Sequence, residues 1–187
     1  MRKNKVIYAS SYDRGLTTLL ELWPEVRKEV PDAELDIFYG WNSYDAVNKS
    51  NPEMMKWKWQ MIRKLNQLKD EGVKEHGRVT HEELAGKFKE AKVWAYPTEF
   101  TEIHCITALK AQEAGCIPVT TGCYALKETV VNNKYTVECE DISTNSEKRK
   151  EFVKQLVSAL KSEGEVVEKV EGVYWEDVAK QWEEALL

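Results

Sequence analysis

The segment WAYPTEFTEIHCITALKAQEAGCIPVTT, residues 94–121, contains two short apolar runs separated by a polar loop and a run with helical spacing. Val93–Tyr96 predicts a buried strand that ends at a proline, and Ile117–Val119 predicts the start of a second strand. Between them we expect a helix that ends at Gly115. Its apolar face is predicted to consist of Ile103, Ile106, Leu109 and Ala114. The order strand, loop, helix, strand indicates a right-handed crossover in a parallel sheet.

The rest of the chain continues this alternation of strands and helices. Apolar or alternating runs predict four further strands, at residues 5–10, 34–39, 73–75 and 135–138. Helical spacing and N-cap residues predict helices that start near residues 16, 52, 81, 125, 147 and 175, with a loop over residues 40–50. The predicted fold is α/β, a Rossmann-like, doubly wound, mostly parallel sheet of six strands with helices on both faces. We expect one such domain over residues 1–187, with a C-terminal helical extension over about 165–187.

Composition excludes several classes of function. The chain has 27 Lys plus Arg against 32 Asp plus Glu, a net charge of −5, which argues against a nucleic-acid partner. No apolar run approaches the ~20 residues that span a bilayer, and no signal peptide is recognised, so we expect a cytoplasmic protein. The four cysteines lack Cys-x-x-Cys or metal-ligand spacing, which indicates reduced thiols and no metal site.

Topology predicts where a ligand would bind. In a doubly wound sheet the first and fourth strands are neighbours at the switch point, and ligands bind beyond the carboxyl ends of the strands there. The Ser10–Gly15 loop would then face the Pro97–Cys105 loop, so that Arg14 and Glu102 share one site. Free N–H groups at a helix start attract phosphate. An acid at that position is also explained by the helix dipole alone.

The residues around Glu102 resemble a known family. Glu102 is followed by Ile-His-Cys-Ile, by an Ala-Leu-x-Ala-x-x-Ala-Gly helix and by a Pro-Val strand. This resembles the donor-binding half of the retaining GT-B glycosyltransferases, in particular their large family-four group, and the resemblance extends from about Val6 to Asn132. It implies a nucleotide-sugar donor in the crevice, used as a substrate with no cofactor. The family motif is Glu, seven residues, Glu, and Lys110 occupies the position of its second glutamate.

The resemblance also implies how this sequence would hold the donor diphosphate. Arg14 would pair with the phosphates through its fork of N–H donors, with Ser11 and Gly15 in the same loop. The start of the following helix would hold the distal phosphate through its backbone N–H groups. The donor-binding residues implied there are Ile103, His104, Cys105 and Ile106.

The remaining implied roles concern the sugar and the nucleoside. Glu102 would be the catalytic residue, close to the reacting carbon of the donor sugar, where oxocarbenium character develops. Arg78 lies in a loop that resembles the family's glycine-containing loop, which holds the base. Lys110 falls where the family's glutamate accepts hydrogen bonds from the ribose hydroxyls, and an ammonium group cannot accept them.

Three hypotheses for the function remain open at this point. A complete GT-B enzyme has two Rossmann-like domains, so the first is a donor-binding half that works with a missing acceptor-side domain in cis or trans. The second is a non-catalytic nucleotide or nucleotide-sugar binding module, in which Lys110 reflects lost transferase activity. The third is an unrelated doubly wound signalling or scaffold domain, because a fold does not fix a function.

Overall fold

Five parallel strands form the central sheet of the protein, seen in a computed structural model that describes residues 2–186. The strands are β1 (Lys5–Tyr8), β2 (Glu34–Phe38), β3 (Val73–Gly77), β4 (Val93–Tyr96) and β5 (Ile117–Thr120). Their spatial order is β3-β2-β1-β4-β5. β1 and β4 are therefore neighbours, as predicted, and pair at Val6–Val93 and Ile7–Trp94.

Helices cover both faces of the sheet. They are α1 (Leu16–Glu29), α2 (Asn42–Asn48), α3 (Pro52–Gln67), α4 (His81–Glu90), α5 (Ile106–Glu113), α6 (Leu126–Thr129), α7 (Ser146–Lys161) and α8 (Trp175–Leu186). α1 packs against α3 and α7 on one side, and α5 packs against α4 and α6 on the other. Because both faces are covered, β4 and β5 are buried along their whole length, which explains their continuous apolar sequences.

The predicted sixth strand is wrong. Asn133–Tyr135 forms a 3₁₀ turn, and Val137 makes only an isolated bridge to Thr121. The backbone hydrogen bonds explain why no ladder forms: Val137 N donates to Thr120 O, and Val137 O accepts from Gly122 N. Val137 is thus the one residue of this segment that pairs with the sheet edge, whereas a strand requires several consecutive paired residues.

The predicted loop over residues 40–50 contains helix α2 instead. Its Asn- and Ser-rich sequence gives weak local helix propensity, and a tertiary contact supplies the stability. Tyr44 is buried, packs against Trp41 and Trp57, and donates its hydroxyl hydrogen to Met54 O at 2.9 Å.

The predicted apolar face of α5 is wrong for Ile103 and Ile106, whereas Ala114 does pack against the core. Ile103 precedes the helix and is 93% exposed, and Ile106 is 58% exposed. The helix buries Ala108, Ala111 and Gln112 instead. The small alanine side chains let the backbone lie close to the sheet. The buried amide of Gln112 donates to the carbonyls of residues 108 and 129 and accepts from backbone N–H groups 131 and 132, so its polar atoms are satisfied.

The C-terminal segment returns along α5 and ends in an exposed helix. Lys169 Nζ lies 2.6 Å from Glu113 Oε1, and Asn132 exchanges two hydrogen bonds with the backbone of Glu168. α8 itself buries no residue, and Trp175 on its apolar stripe is 85% exposed. Among the helices of residues 2–186, none has the length and apolar character required to cross a membrane.

Candidate functional site

The loops that follow β1 and β4 meet in direct backbone contact. Gly15 has φ of 101°, and a Cβ atom added there would lie 2.1 Å from the carbonyl oxygen of Pro97. Only glycine tolerates both this left-handed conformation and this approach. The first loop is tightened by Ser11, whose carbonyl accepts from Tyr8 Oη at 2.7 Å and from Arg14 N at 3.0 Å. Ser11 and Gly15 therefore shape the loop that presents Arg14.

Arg14 and Glu102 come together at this junction, which confirms the predicted proximity. Arg14 Nη1 lies 3.5 Å from Glu102 Oε1, and the guanidinium carbon lies 3.7 Å from the centroid of the Phe100 ring. The Glu102 side chain is 10% exposed and that of Arg14 is 35% exposed. The carboxylate is thus largely enclosed, while the guanidinium keeps N–H groups open to a ligand.

Tyr96 holds the Glu102 carboxylate in place from within the sheet. Its hydroxyl donates to Glu102 Oε1 at 2.6 Å, and Ser10 Oγ donates to Tyr96 Oη at 3.3 Å. Burial and the hydrogen bond to Glu102 raise the pKa of Tyr96 well above its usual value, so the phenol stays a proton donor to the carboxylate. The sequence patterns did not single out Tyr96, Ser10 or Phe100 as site residues. The position of Tyr96 at the end of a predicted buried strand could have indicated its role, because a buried phenol hydroxyl needs a hydrogen-bond partner.

Two helix N-termini at this crevice lack a side-chain cap. α1 begins after Gly15 and α5 begins after Cys105, and neither residue caps its helix through a side chain. The other long helices that cover the sheet are capped, α3 by Asn51, α4 by Thr80 and α7 by Asn145. Uncapped N–H groups and the positive end of the helix dipole both favour a bound anion.

The predicted phosphate-binding residues surround the start of α5. His104 is exposed, and Ile103 and Ile106 form an apolar rim beside it. Cys105 is buried, and this burial raises the pKa of its thiol to about 11, so it adds no negative charge at neutral pH. Across residues 2–186 no group of three or more His, Cys, Asp and Glu side chains is placed to hold a metal ion.

Arg78 lies in the loop between β3 and α4, away from the Arg14–Glu102 pair. It lines a separate cavity of about 240 Å³ together with Ala9 and Thr80. Ala9 joins the two regions, because its carbonyl also accepts from Thr107 Oγ1 in α5 at 3.4 Å. Lys110 is exposed one turn further along α5, with Nζ 3.5 Å from His81 Nδ1.

The parallel sheet with helices on both faces, and with its switch point between β1 and β4, defines a Rossmann-like architecture. Residues 3–162 match the family described as glycosyl transferases group 1, and the chain belongs to this family. Among curated proteins none matches the sequence significantly.

Similar solved structures are GT-B glycosyltransferases. The pneumococcal O-GlcNAc transferase GtfA, in complex with UDP and GlcNAc, superposes with a TM-score of 0.70 and 14% identity, covering 99% of this chain and 35% of that one. Sucrose-phosphate synthase from Thermosynechococcus elongatus gives 0.60 and 18%, covering 99% and 45%. A UDP-forming α,α-trehalose-phosphate synthase from Burkholderia xenovorans gives 0.63 and 10%, covering 99% and 43%. The chain thus spans less than half the length of these proteins and corresponds to one GT-B half.

Proposed function

We propose that this chain is the donor-binding half of a glycosyltransferase that moves a sugar from a nucleotide-sugar to an acceptor with retention of configuration. The observation that carries the proposal is the convergence of two uncapped helix N-termini on the Arg14–Glu102 pair. Membership of the glycosyl transferase family supports it. The pneumococcal relative in complex with UDP and GlcNAc supports a nucleotide-sugar as the ligand class.

The donor diphosphate would lie between Arg14 and the start of α5. Arg14 is held by Phe100 and Glu102 but keeps about a third of its side chain exposed, so its guanidinium can reach phosphate oxygens. The N–H groups at the start of α5 would bind the distal phosphate. Charge that develops on the departing diphosphate would then meet fixed donors, which lowers the barrier to transfer.

Glu102 would act on the sugar side of the same bond. Its carboxylate is largely enclosed and is oriented by the Tyr96 hydroxyl, which limits its freedom to move. A fixed negative charge beside the anomeric carbon stabilises the oxocarbenium character of a glycosyl-transfer transition state. Arg14 adjoins this carboxylate, so one ion pair would contact both products of bond cleavage.

The acceptor would be held by a second Rossmann-like half, supplied in cis or in trans. Several large apolar side chains remain exposed along the carboxyl edge of the sheet, where such a half would close the crevice: Tyr39, Phe100, Ile103, Ile106 and Tyr124. An exposed apolar group of this size is typical of an interaction surface. The free, mostly buried thiols fit a reducing compartment, and we therefore place this activity in the cytoplasm.

Calorimetric titration of the chain with UDP, GDP, ADP and their sugar derivatives tests donor binding. At least one nucleotide should bind, and a saturating donor at ~100 times its dissociation constant should raise the free energy of unfolding by about 2.7 kcal/mol. Arg14→Ala should weaken binding by about tenfold or more, the effect of losing a charged hydrogen bond to phosphate. Arg63→Ala, an exposed arginine in α3, is the matched control and should bind normally.

Transfer is tested after addition of a candidate acceptor-side half. Glu102→Gln should lower the rate of transfer by roughly 10²-fold or more, the scale of losing one preorganised electrostatic group, while nucleotide binding remains. NMR of the product should show the anomeric configuration of the donor. A Glu102→Gln chain that transfers sugar at the normal rate would overturn the catalytic role.

The second function, a non-catalytic nucleotide or nucleotide-sugar binding module, is favoured by one observation. Lys110 is exposed and positively charged. The GT-B enzymes that this sequence resembles have a glutamate at this position. Nucleotide binding without transfer, whichever acceptor-side half is added, would support this function over the first. Absence of binding to every nucleotide would contradict both.

A further inference from the structure

The side chains of Arg78, His81 and Lys110 lie near one another where α5 passes the start of α4. Lys110 Nζ lies 3.5 Å from His81 Nδ1. His81 lines the cavity of about 240 Å³ that contains Arg78, and it also lines a neighbouring cavity that contains Lys110. All three side chains are exposed. None of them forms an ion pair with a carboxylate within the described residues 2–186, although most ion pairs of the chain involve lysine.

Two nearby acids are already engaged elsewhere, and a third, Glu82 in the first turn of α4, is exposed and forms no ion pair with Arg78 or Lys110 among residues 2–186. Among the described residues that line the two cavities, Glu113 is the one acid, and its carboxylate lies 2.6 Å from Lys169 Nζ. Glu83, in the first turn of α4, accepts from Thr80 N at 2.9 Å and completes a capping box. The positive charge of Lys110 and Arg78 is therefore not cancelled locally, in a chain whose net charge is −5.

The position of Lys110 relates this cluster to the predicted phosphate site. Lys110 lies four residues after Ile106, the first residue of α5, which corresponds to ~6 Å along the helix axis. Side chains on a helix lean towards its N-terminus, so the ammonium group reaches back towards the carboxyl edge of the sheet. Its contact with His81, the first residue of α4, agrees with this direction.

We infer that Arg78, His81 and Lys110 bind a second anionic group of the nucleotide, a phosphate ester on its ribose. This inference rests on the proposed function, which puts the diphosphate at the start of α5. In a nucleotide, the 5′-phosphate and the 2′ and 3′ oxygens are carried by the same ribose ring and are therefore close together. This short separation suits a phosphate site at the start of α5 and a second one at Lys110, one helical turn further on. Guanidinium and ammonium groups bind phosphate oxygens well, and Arg78 and Lys110 form no ion pair with a carboxylate among residues 2–186.

Calorimetric titration of the full chain tests the inference with matched ligands. The base is the one whose nucleoside diphosphate binds most tightly, and the probes are its 5′-monophosphate, its 2′,5′-bisphosphate and its 3′,5′-bisphosphate. One of the bisphosphates should bind at least tenfold more tightly than the monophosphate, and which one does so identifies the ribose oxygen. Lys110→Glu should remove this preference.

Two further variants separate a local effect from a change of net charge. Lys154→Glu makes the same charge change at an exposed position of α7, in the opposite helix layer, and should keep the preference for the bisphosphate. Arg78→Ala should lower the preference without a new negative charge. Thermal melts should show that each variant is folded, as expected for exposed positions.

The outcomes distinguish the two proposals. Equal binding of monophosphate and bisphosphates by the wild-type chain overturns this inference and leaves the proposed function in place. A bisphosphate preference that survives both Lys110→Glu and Arg78→Ala also overturns it, because the extra phosphate then binds elsewhere. Failure of every nucleotide to bind overturns the proposed function and this inference together.

Discussion

At the amino edge of the sheet, basic side chains neutralise helix ends, whereas at the carboxyl edge the helices α1 and α5 begin without a side-chain cap. Arg2 donates from Nη1 to Ala91 O at 2.8 Å and to Gly115 O at 2.6 Å, and from Nη2 to Ala114 O at 2.5 Å. These carbonyls follow the ends of α4 and α5. Lys92 does the same for α7, through the carbonyls of residues 160 and 162. The negative helix ends are thus satisfied within the chain.

The carboxyl edge reverses this arrangement. α1 and α5 begin there without a side-chain cap, and Arg14 lies beside them with much of its guanidinium exposed. At the amino edge, the partial charge of the helix ends is compensated by basic side chains of the protein. At the carboxyl edge, the partial positive charge at the starts of α1 and α5 can therefore interact with an anionic ligand. The basic side chains at the amino edge thus contribute to stability, and the carboxyl edge is where we propose that the nucleotide binds.

The largest effect on stability is expected at the junction of the two crevice loops. Gly15→Ala would force a left-handed residue to carry a Cβ atom 2.1 Å from the carbonyl oxygen of Pro97. Strain and overlap together should lower the free energy of unfolding by about 3 kcal/mol or more, and nucleotide binding should fall as the loops separate. Urea denaturation measures the first effect and calorimetry the second.

Gly86→Ala is the control for this substitution. Gly86 lies inside α4, and an added Cβ would meet no atom within 4 Å. Alanine should therefore stabilise the chain by about 0.5–1 kcal/mol through its higher helix propensity. If Gly15→Ala were as stable as Gly86→Ala, the close contact between the loops would not exist in solution.

A pair of arginine substitutions tests the contrast between the edges directly. Arg2→Ala removes three charged hydrogen bonds at the amino edge and should lower the free energy of unfolding by about 2 kcal/mol, with unchanged nucleotide affinity. Arg14→Ala should show the opposite pattern, a change in stability within about 1 kcal/mol and weakened nucleotide binding. The comparison fails if both variants lose stability and affinity in the same proportion.

The smallest effect is expected at the N-terminus of α4, where the carboxylate of Glu83, a residue of the same helix, accepts a hydrogen bond from the backbone. The backbone N–H of Thr80 donates to Glu83 and, with the Thr80 hydroxyl, lowers the pKa of that carboxyl below its usual value of 4.5. Because the folded pKa is the lower one, this stabilisation is complete above about pH 4.5 and is lost as the pH falls through the folded value. An NMR titration of the Glu83 carboxyl should give a midpoint below 4.5.

Denaturation at several pH values supplies the control for that titration. The stability difference between wild type and Glu83→Gln should shrink as the pH falls below 4.5. Glu82→Gln removes an equal charge from the same helical turn, at a side chain that is not the partner in the capping box. Its stability should follow the wild-type dependence on pH, and a Glu83 midpoint at or above 4.5 would contradict the capping geometry.

Sequence patterns identified the crevice because parallel topology fixes which loops share an edge. The order of strands and helices put β1 beside β4, and this alone predicted that Arg14 and Glu102 would meet. Local signals also worked for helix starts, since the Asn51 cap and the Thr80 capping box both form. These features depend on short-range stereochemistry and on a general rule of chain topology.

The errors have a common physical cause. The sequence of α2 favours a loop, and the helix forms because Tyr44 is buried against Trp57 and the backbone of α3. In α5 the helix lies on its small residues, so apolar periodicity pointed to Ile103 and Ile106, which are exposed. In both cases tertiary packing overrode a local preference of less than about 1 kcal/mol per residue.

The amino-acid sequence alone determined the parallel α/β architecture, the switch point and the two loops that face each other across it. It did so because periodicity, caps and crossover handedness are local or nearly local properties. Only the tertiary structure showed that Tyr96 fixes the Glu102 carboxylate and that Lys110 reaches His81. It also showed that basic side chains reach helix ends at the amino edge, while α1 and α5 start at the carboxyl edge without a side-chain cap. Such pairings join residues far apart in the chain, and their geometry exists only once the sheet and its helices have packed.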